Sequence, residues 1–470
     1  MTIKYQRIIA VLLVLLLGAQ LVHMGLKNRP EEAEIVVDQP ILIWYTDPDI
    51  QPYMDAAAQE MAARYQVEVR AELVSEVDYI ENISEQSVAE KMMGPDVYVV
   101  SSALLEKAVL AGLTTSVDDQ DPAGTYSEKA VHAMTYDGKM VAWPFYIETC
   151  VMLYNRYYVD PEEVPSDIED ILTYAENFET DDLTAGVENI FKWNVADVID
   201  NYMFLGAYTD LGGPDGDNKS QVSMDLPKIT ECMSYYQSLN EFFAIDADTV
   251  TSEEVIQGFI DGKTVFTIVN VPMLAALDRA VKEGSLPEYP AERTVVGEDG
   301  EETVESLNYE PFYQAAPLPA LTDTLDSRGL SVTNGVVVNP YSGNVDAAKA
   351  CARYLTRDRA GKLYEEASKL TACRSLLGGE EAPAKEEKKS LFGYDSLYEK
   401  LLGGGETKVP ASDAYLTVYE AYEEAAEVPK IMELSNMWLQ LEVVLADIWR
   451  GSDAGEKVSG FAGLLAAQLD

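Results

Sequence analysis

The dipeptide Ser101-Ser102 ends an apolar run, Val97-Tyr98-Val99-Val100, and opens a helical pattern of Leu104, Leu105, Ala108 and Val109 that stops at Gly112. Hydroxyls at such a junction have two uses. One caps the helix by accepting from its free N–H groups. The other meets a ligand, because a helix start also attracts acceptors from outside the chain. Both uses are open here, with one serine for each. Glu148 ends a second apolar run, Phe145-Tyr146-Ile147. A carboxylate buried unpaired in such a strand is costly, so Glu148 is expected to reach water or a ligand hydroxyl. Asp47 and Asp49 add two carboxylates in the loop TDPDIQP. Acids that converge to about 5–9 Å are the requirement for glycoside hydrolysis, and nothing in their spacing along the chain establishes that convergence. Asn270 and Asn334 are either hydrogen-bonding loop residues or ordinary turn formers.

Other chemistries find little support. The two histidines, His23 and His132, sit in no motif, which argues against a Ser-His-acid arrangement. No His and Cys cluster has metal-ligand spacing, so neither a transition-metal centre nor another cofactor is expected. Cys150, Cys232, Cys351 and Cys373 are too scattered for a disulfide framework. Cys351 and Cys373 are near enough in sequence to pair, although nothing in the sequence fixes the geometry that a bridge needs. With 81 acidic against 34 basic residues the chain carries a net charge of −47. Such a chain is repelled by nucleic-acid phosphates and by anionic lipid. The acidity reads as solubility outside the cell, with a salty habitat or a cationic ligand as alternatives.

The elements that must position these residues begin after residue 40. Ahead of them, Lys4 and Arg7 precede an apolar run, Ile8–Leu26. As a helix it is about 28 Å long, just enough for a hydrocarbon core of about 30 Å, and the basic flank orients the rest of the chain outward. Leu21–Met24 supplies no A-x-A-like cleavage pattern, and none of the four cysteines stands at the end of the run, where lipid attachment would need one. Residues 1–27 are therefore read as an uncleaved anchor, with a cleaved signal peptide as the alternative, and 28–40 as a tether. At 470 residues the chain has room for at least two cores. Strand Ile41–Tyr45, a helix from Tyr53 to Tyr65, and strands in VEVRAELV and GPDVYVV predict βαβ units and a mostly parallel sheet. YDGKMVAWPFYIETCVMLYNRYYV is β-rich, with Gly138 as a turn. Pro144 cannot donate to a ladder, so the strand is interrupted or at an edge there, and a strand that breaks and resumes can pass between two sheets. Helical segments begin at Pro161, with Ser166 as an expected N-cap. Residues 378–412 are polar and Gly-rich and read as a surface insertion, ahead of a late amphipathic helix containing Trp438.

Four segments in this order resemble the extracellular solute-binding proteins of bacterial ABC importers, the family typified by maltose-binding protein. They are Ile43-Trp44 with its polar loop, GPDVYVVSSALLEKAVLAGL, YDGKMVAWPFYIETCVMLYNR and FIDGKTVFTIVNVP. The resemblance implies an α/β fold of two lobes closing about a hinge, with lobe one at 41–146 and 334–378 and lobe two at 147–333 and 379–470. It makes Trp438 a stacking tryptophan and Glu148 a cleft carboxylate. It places Trp193 and Asp197 where the family offers an aromatic and an acid, and Met273 where the family often has tryptophan. The family's Asp-Lys pair is not reproduced, since Pro48 and Asp49 stand in its place. The implied ligand-binding set is Asp47, Asp49, Ser101, Ser102, Glu148, Trp193, Asn270, Met273, Asn334 and Trp438. The implied activity is capture of a solute, a carbohydrate first, and its delivery to ABC permease subunits by a monomer outside the cytoplasm, without catalysis. An anchored sensor or adhesin of the same fold, or a secreted glycosidase, are the alternatives.

Overall fold

The computed structural model describes residues 40–65, 68–89, 94–117, 122–180, 183–296, 302–307, 309, 311–376 and 413–469. The expected anchor helix and the insertion at 378–412 lie outside the described residues. Among those described, no helix is long and apolar enough to cross a membrane.

Eleven strands build two sheets. In chain order they are β1 (Ile41–Tyr45), β2 (Val69–Leu73), β3 (Val97–Ser101), β4 (Trp143–Glu148), β5 (Cys150–Asn155), β6 (Asn189–Phe191), β7 (Thr264–Asn270), β8 (Tyr313–Ala316), β9 (Leu330–Val338), β10 (Leu370–Thr371) and β11 (Ala426–Glu427). The first sheet runs β10-β4-β9-β3-β1-β2, with β11 added on β9; the second runs β8-β5-β7-β6. β1 and β3 are parallel. β9 is antiparallel to both β3 and β4, so β1, β3 and β4 all point the same way. Their carboxyl ends share one edge of the sheet, and β4 runs from that edge through Thr149 straight into β5 of the second sheet. Inner strands such as β1 and β3 are covered on both faces, which is why they read as continuous apolar runs. Edge strand β2 is half exposed and alternates.

Pro144 is not at an edge, because β4 lies between β10 and β9. The ladder is interrupted there: Gly335 faces Pro144, Asn334 faces Tyr146, and the pairing skips Phe145. Gly335 makes the irregularity possible. A Cβ at that position would stand 2.2 Å from the Met134 Sδ and 3.2 Å from the Trp143 carbonyl oxygen. The change of sheet falls later, at Thr149, whose hydroxyl donates to the Leu330 carbonyl at 2.8 Å and ties the outward crossing to the return into β9. The expected lobe limits differ accordingly from the sheets: β9 begins at Leu330 on the first sheet, and β11 brings residues 426–427 back to it.

The helices that flank the sheets include α1 (Gln51–Tyr65), α2 (Tyr79–Ser87), α3 (Val198–Asn201), α4 (Leu226–Phe243), α5 (Val271–Glu283), α6 (Leu363–Ala367), α7 (Asp413–Glu424), α8 (Met437–Trp449) and α9 (Ala454–Leu469). α1 and α6 pack together beside the first sheet, α5 lies on β7, α7 lies on β5 and β8, and α8 packs against α3, α4 and α9. Asp167 caps the helix at 168–176 in place of Ser166, accepting from the Asp170 N–H at 2.8 Å. Asp137 and Gly138 both take positive φ in the tight turn between 135–136 and 139–140, as a two-residue hairpin requires. Cys351 and Cys373 do not pair: all four cysteines are free thiols and buried.

Candidate functional site

Three acids singled out in the sequence meet at the shared edge of the first sheet, around a lysine that was not. Lys369 immediately precedes β10. Its Nζ lies 3.0 Å from Asp47 Oδ2, 3.0 Å from Glu148 Oε1 and 3.5 Å from Asp49 Oδ2. Tyr146 donates to the same Asp47 oxygen at 3.0 Å, and Asn334 Nδ2 donates to Glu148 Oε2 at 3.1 Å. Burial of the ammonium pulls its pKa down, but the charges and hydrogen bonds of Glu148 and Asp47 outweigh that and raise it above the usual lysine value. The Tyr146 hydroxyl is pushed up by burial and then by Glu148 and Asp47, so it stays a donor. The partner of Glu148 is thus an ammonium and an amide, and Asn334 is a buried donor to it rather than a turn former. Among the described residues no group of His, Cys, Asp or Glu is disposed to hold a metal ion.

The two serines part company. Ser101 takes the position ahead of the helical turn at 102–104 without making a side-chain cap. Ser102 is fully buried and donates to Glu427 Oε1 at 2.8 Å. The Thr333 N–H donates to the same oxygen at 2.9 Å and Ser331 Oγ to Oε2 at 3.0 Å. Burial raises the Glu427 pKa against the pull of Lys129. Ser102 therefore neither caps the helix nor faces a ligand; it satisfies a carboxylate that arrives with β11.

A cavity of about 740 Å³ opens between the two halves. Its first-sheet wall is Glu76, in the loop after β2. Its second-sheet wall includes Asn194, Asp197, Ser252, Trp438, Leu439 and Glu442. Trp438 stands in the first turn of α8, tilted at 57° and 6.1 Å from the Tyr202 ring. Asp197 caps α3 by accepting from Ile199 N and Asp200 N at 2.8 and 3.2 Å. Directly after the lining residues comes Asp200, which is fully buried, with no hydrogen-bond partner on either carboxyl oxygen among the described residues.

Of the implied set only Trp438 lines this cavity; the Lys369 cluster and the two serines lie outside its lining, and three further members serve the second-sheet half itself. Trp193 is 0 % exposed, stacked on Phe191 at 4.6 Å, and its Nε1 donates to Asn201 Oδ1 at 2.9 Å. It is core, and its ring has no face for a ligand. Met273 is buried in the same apolar cluster. Asn270 caps α5, its Oδ1 accepting from the Met273 N–H at 3.1 Å. The residues that sequence reasoning missed, Lys369, Glu427, Glu76 and Glu442, carried no signal of their own, since charged residues in acidic, helix-like surroundings read as a solvated face.

Residues 56–362 match the family model described as bacterial extracellular solute-binding protein. The chain is also similar to the maltotriose-binding protein of Pyrococcus abyssi, 24% identical over 239 residues that make up 49% of each chain. It therefore spans about half the length of that relative. To the maltodextrin-binding protein MdxE of Bacillus subtilis it is 21% identical over 346 residues, 71% of this chain and 68% of that one. Among solved structures, the extracellular solute-binding protein of Staphylococcus aureus in complex with maltose superposes with a TM-score of 0.63 at 16% identity, covering 92% of this chain and 98% of the other. The maltotriose-binding protein of Thermus thermophilus bound with maltotriose gives 0.62 at 15%, covering 92% and 100%. At such identities the structural likeness is one of fold, a mixed α/β fold of the kind seen in maltose-binding proteins. The family model, by contrast, runs from within α1 to just short of α6, over more than half of the chain, and on that ground the chain belongs to the bacterial extracellular solute-binding proteins.

Proposed function

We propose that this protein captures a maltodextrin-type oligosaccharide between two lobes, one built on each sheet, and passes it to ABC permease subunits on the outer side of the cytoplasmic membrane. One observation carries the reading: a cavity spans the gap between the halves, with an indole, Trp438, on one wall and carboxylates on both. Pyranose rings offer flat C–H faces to an aromatic and hydroxyls to acceptors, and a mostly preformed cleft with a few placed polar groups suits them. The relatives named for binding maltotriose, maltodextrin or maltose support the same ligand class. Asp47 and Glu148 accept from one shared ammonium, whereas a glycosidase needs one carboxyl of its pair as a proton donor. Capture without turnover is the reading this favours. Closure about the hinge at Thr149 would bury the ligand and present a closed face to the transporter. The protein works as a monomer, held by the segment before residue 40 or released after its cleavage.

Calorimetric titration of the purified protein with maltose, maltotriose and maltotetraose tests the proposal. Saturable binding is expected, and Trp438→Ala is expected to weaken it by about tenfold, the scale of a lost aromatic contact together with its buried area. No heat and no thermal shift with any of these sugars would refute the assigned ligand class.

A further inference from the structure

Three phenols from separate elements converge on one carboxylate. Asp278 lies on α5. Tyr313 of β8 donates to its Oδ1 at 2.5 Å, and Tyr364 of α6 donates to its Oδ2 at 2.8 Å. Tyr415 of α7 also donates to Oδ2 and meets the Tyr364 hydroxyl. All three tyrosines are buried, and the Tyr364 and Tyr415 rings pack edge-on at 4.6 Å. Burial, and then the neighbouring carboxylate and phenols, push all three hydroxyls above the ordinary tyrosine range, so they stay protonated donors.

The donors come from different places. α5 and β8 belong to the second-sheet half, and α7 packs on β5 and β8 of that half. α6 packs on α1, on β10 and on the turn at 48–50, all in the first-sheet half. Tyr364 is the member that reaches across. It also stands five residues ahead of Lys369, and α6 ends in between at Ser368, whose φ of 55° turns the chain toward β10. One short helix thus joins the Asp278 node to the ammonium that holds Asp47 and Glu148.

We propose that Tyr364 and Asp278 form a latch between the lobes that sets their spacing before any ligand arrives and, through α6, positions Lys369. Rotation of the halves must either break the Tyr364–Asp278 bond or drag α6 with it. A phenol-to-carboxylate bond is charge-assisted and stronger than a neutral one, which gives the latch its hold. Release is nevertheless cheap for Asp278. Tyr313 and Tyr415 travel with it, so the carboxylate keeps two donors and is not stranded when Tyr364 leaves. The latch is therefore reversible.

The test needs no ligand, so it stands apart from the choice of sugar; a failed sugar titration leaves it untouched. Spin labels go on Val88→Cys, in the first-sheet half, and Val443→Cys, on α8. These native side chains are 65% and 55% exposed, and the four native thiols are buried. Pulsed dipolar distances are then measured on ligand-free protein. Tyr364→Phe keeps the ring and removes the hydroxyl. It is expected to shift the ratio of the parent separation to wider ones by about tenfold toward the wider. Tyr313→Phe removes a bond to the same carboxylate within one half and is expected to leave the distribution as in the parent. An unchanged distribution in Tyr364→Phe, or an equal shift in Tyr313→Phe, overturns the latch. Should Tyr364→Phe not unfold cooperatively, Asp278→Asn replaces it with the same expectations.

Discussion

Replacing Asp200 with asparagine isolates the charge of one buried acid under the cleft wall. The Asp200 side chain is fully buried, and neither of its carboxyl oxygens has a hydrogen-bond partner among the described residues. Burial first, and then the nearby Asp197 charge, raise its pKa well above the ordinary 3.8. In the unfolded chain the group ionises near its ordinary value. Between that value and the raised one, the folded protein keeps a proton that the unfolded chain has released. The stability that Asp200 contributes is therefore complete below about pH 4 and falls as pH rises, by about 1.4 kcal/mol for each pH unit, until the folded pKa is passed. The amide introduced by Asp200→Asn cannot titrate, so the difference between variant and parent should grow in favour of the variant with that slope. Any cost of placing an amide there is independent of pH and shifts the offset alone. The assay is urea unfolding followed by tryptophan fluorescence at several pH values between about 5 and 7, with the two stabilities subtracted. Other titrating groups cancel in the difference. Parallel stability curves for the two proteins across that range would refute the reasoning.

Glu60→Gln tests a paired carboxylate of opposite sign. Glu60 accepts from Arg359 at 3.1 and 3.2 Å, from Tyr354 and from Lys362, and these bonds, that from Arg359 first, take its pKa down to about 2 against the opposing effect of burial. Its stabilisation is present above about pH 4.5 and lost as pH falls toward about 2. More than a third of the side chain is exposed, so screening leaves an expected loss of about 1 kcal/mol at neutral pH, measured by urea midpoint and vanishing in acid. Gly335→Ala should cost about 1–3 kcal/mol, because the new methyl overlaps Met134 in the packed centre of the first sheet. Gly463→Ala, in α9 with open space around it, should instead gain about 0.5–1 kcal/mol. Ser102→Ala removes a donor to Glu427 and should cost about 1–3 kcal/mol; a thermal midpoint within error of parent would contradict that role.

The strands legible in the sequence were those whose burial leaves a compositional mark. Ile41–Tyr45 and Val97–Ser101 sit inside a sheet covered on both faces, so every residue is apolar up to the tip. Pro144 was legible as an interruption, but the missing N–H reports one lost ladder bond and not the end of a sheet. Gly335 absorbs the defect with a register shift, and the chain continues to Thr149 before changing sheets. Strands β10 and β11 are two residues long and show no periodicity at all; they become strands only because β4 and β9 are there to pair with. The same limit separates Trp193 from Trp438. Each is an indole among mixed apolar and polar residues of the sequence, and the difference between core and cleft comes from Phe191 stacking on one and a gap opening beside the other.

The reading of Glu148 shows what kind of information was absent. A carboxylate at the end of an apolar strand must find partners, and that requirement was physical and correct in kind; Glu148 stays 27% exposed and so reaches water, but the ammonium that also pairs with it was not foreseen. Lys369 lies 221 residues away, in a stretch that reads as a charged helix face. Yet the pairing of β10 with β4 sets Leu370 opposite Ile147 and Thr371 opposite Tyr146. Antiparallel register then carries Lys369 to Glu148 with no further assumption. The same ladder puts the lysine over the Tyr146 ring at 5.5 Å and within reach of the Asp47 loop. A charge network of four residues from three separate segments thus depends on a strand of two residues, and a substitution that unpairs Leu370 or Thr371 should disperse the network even though it touches none of its charges.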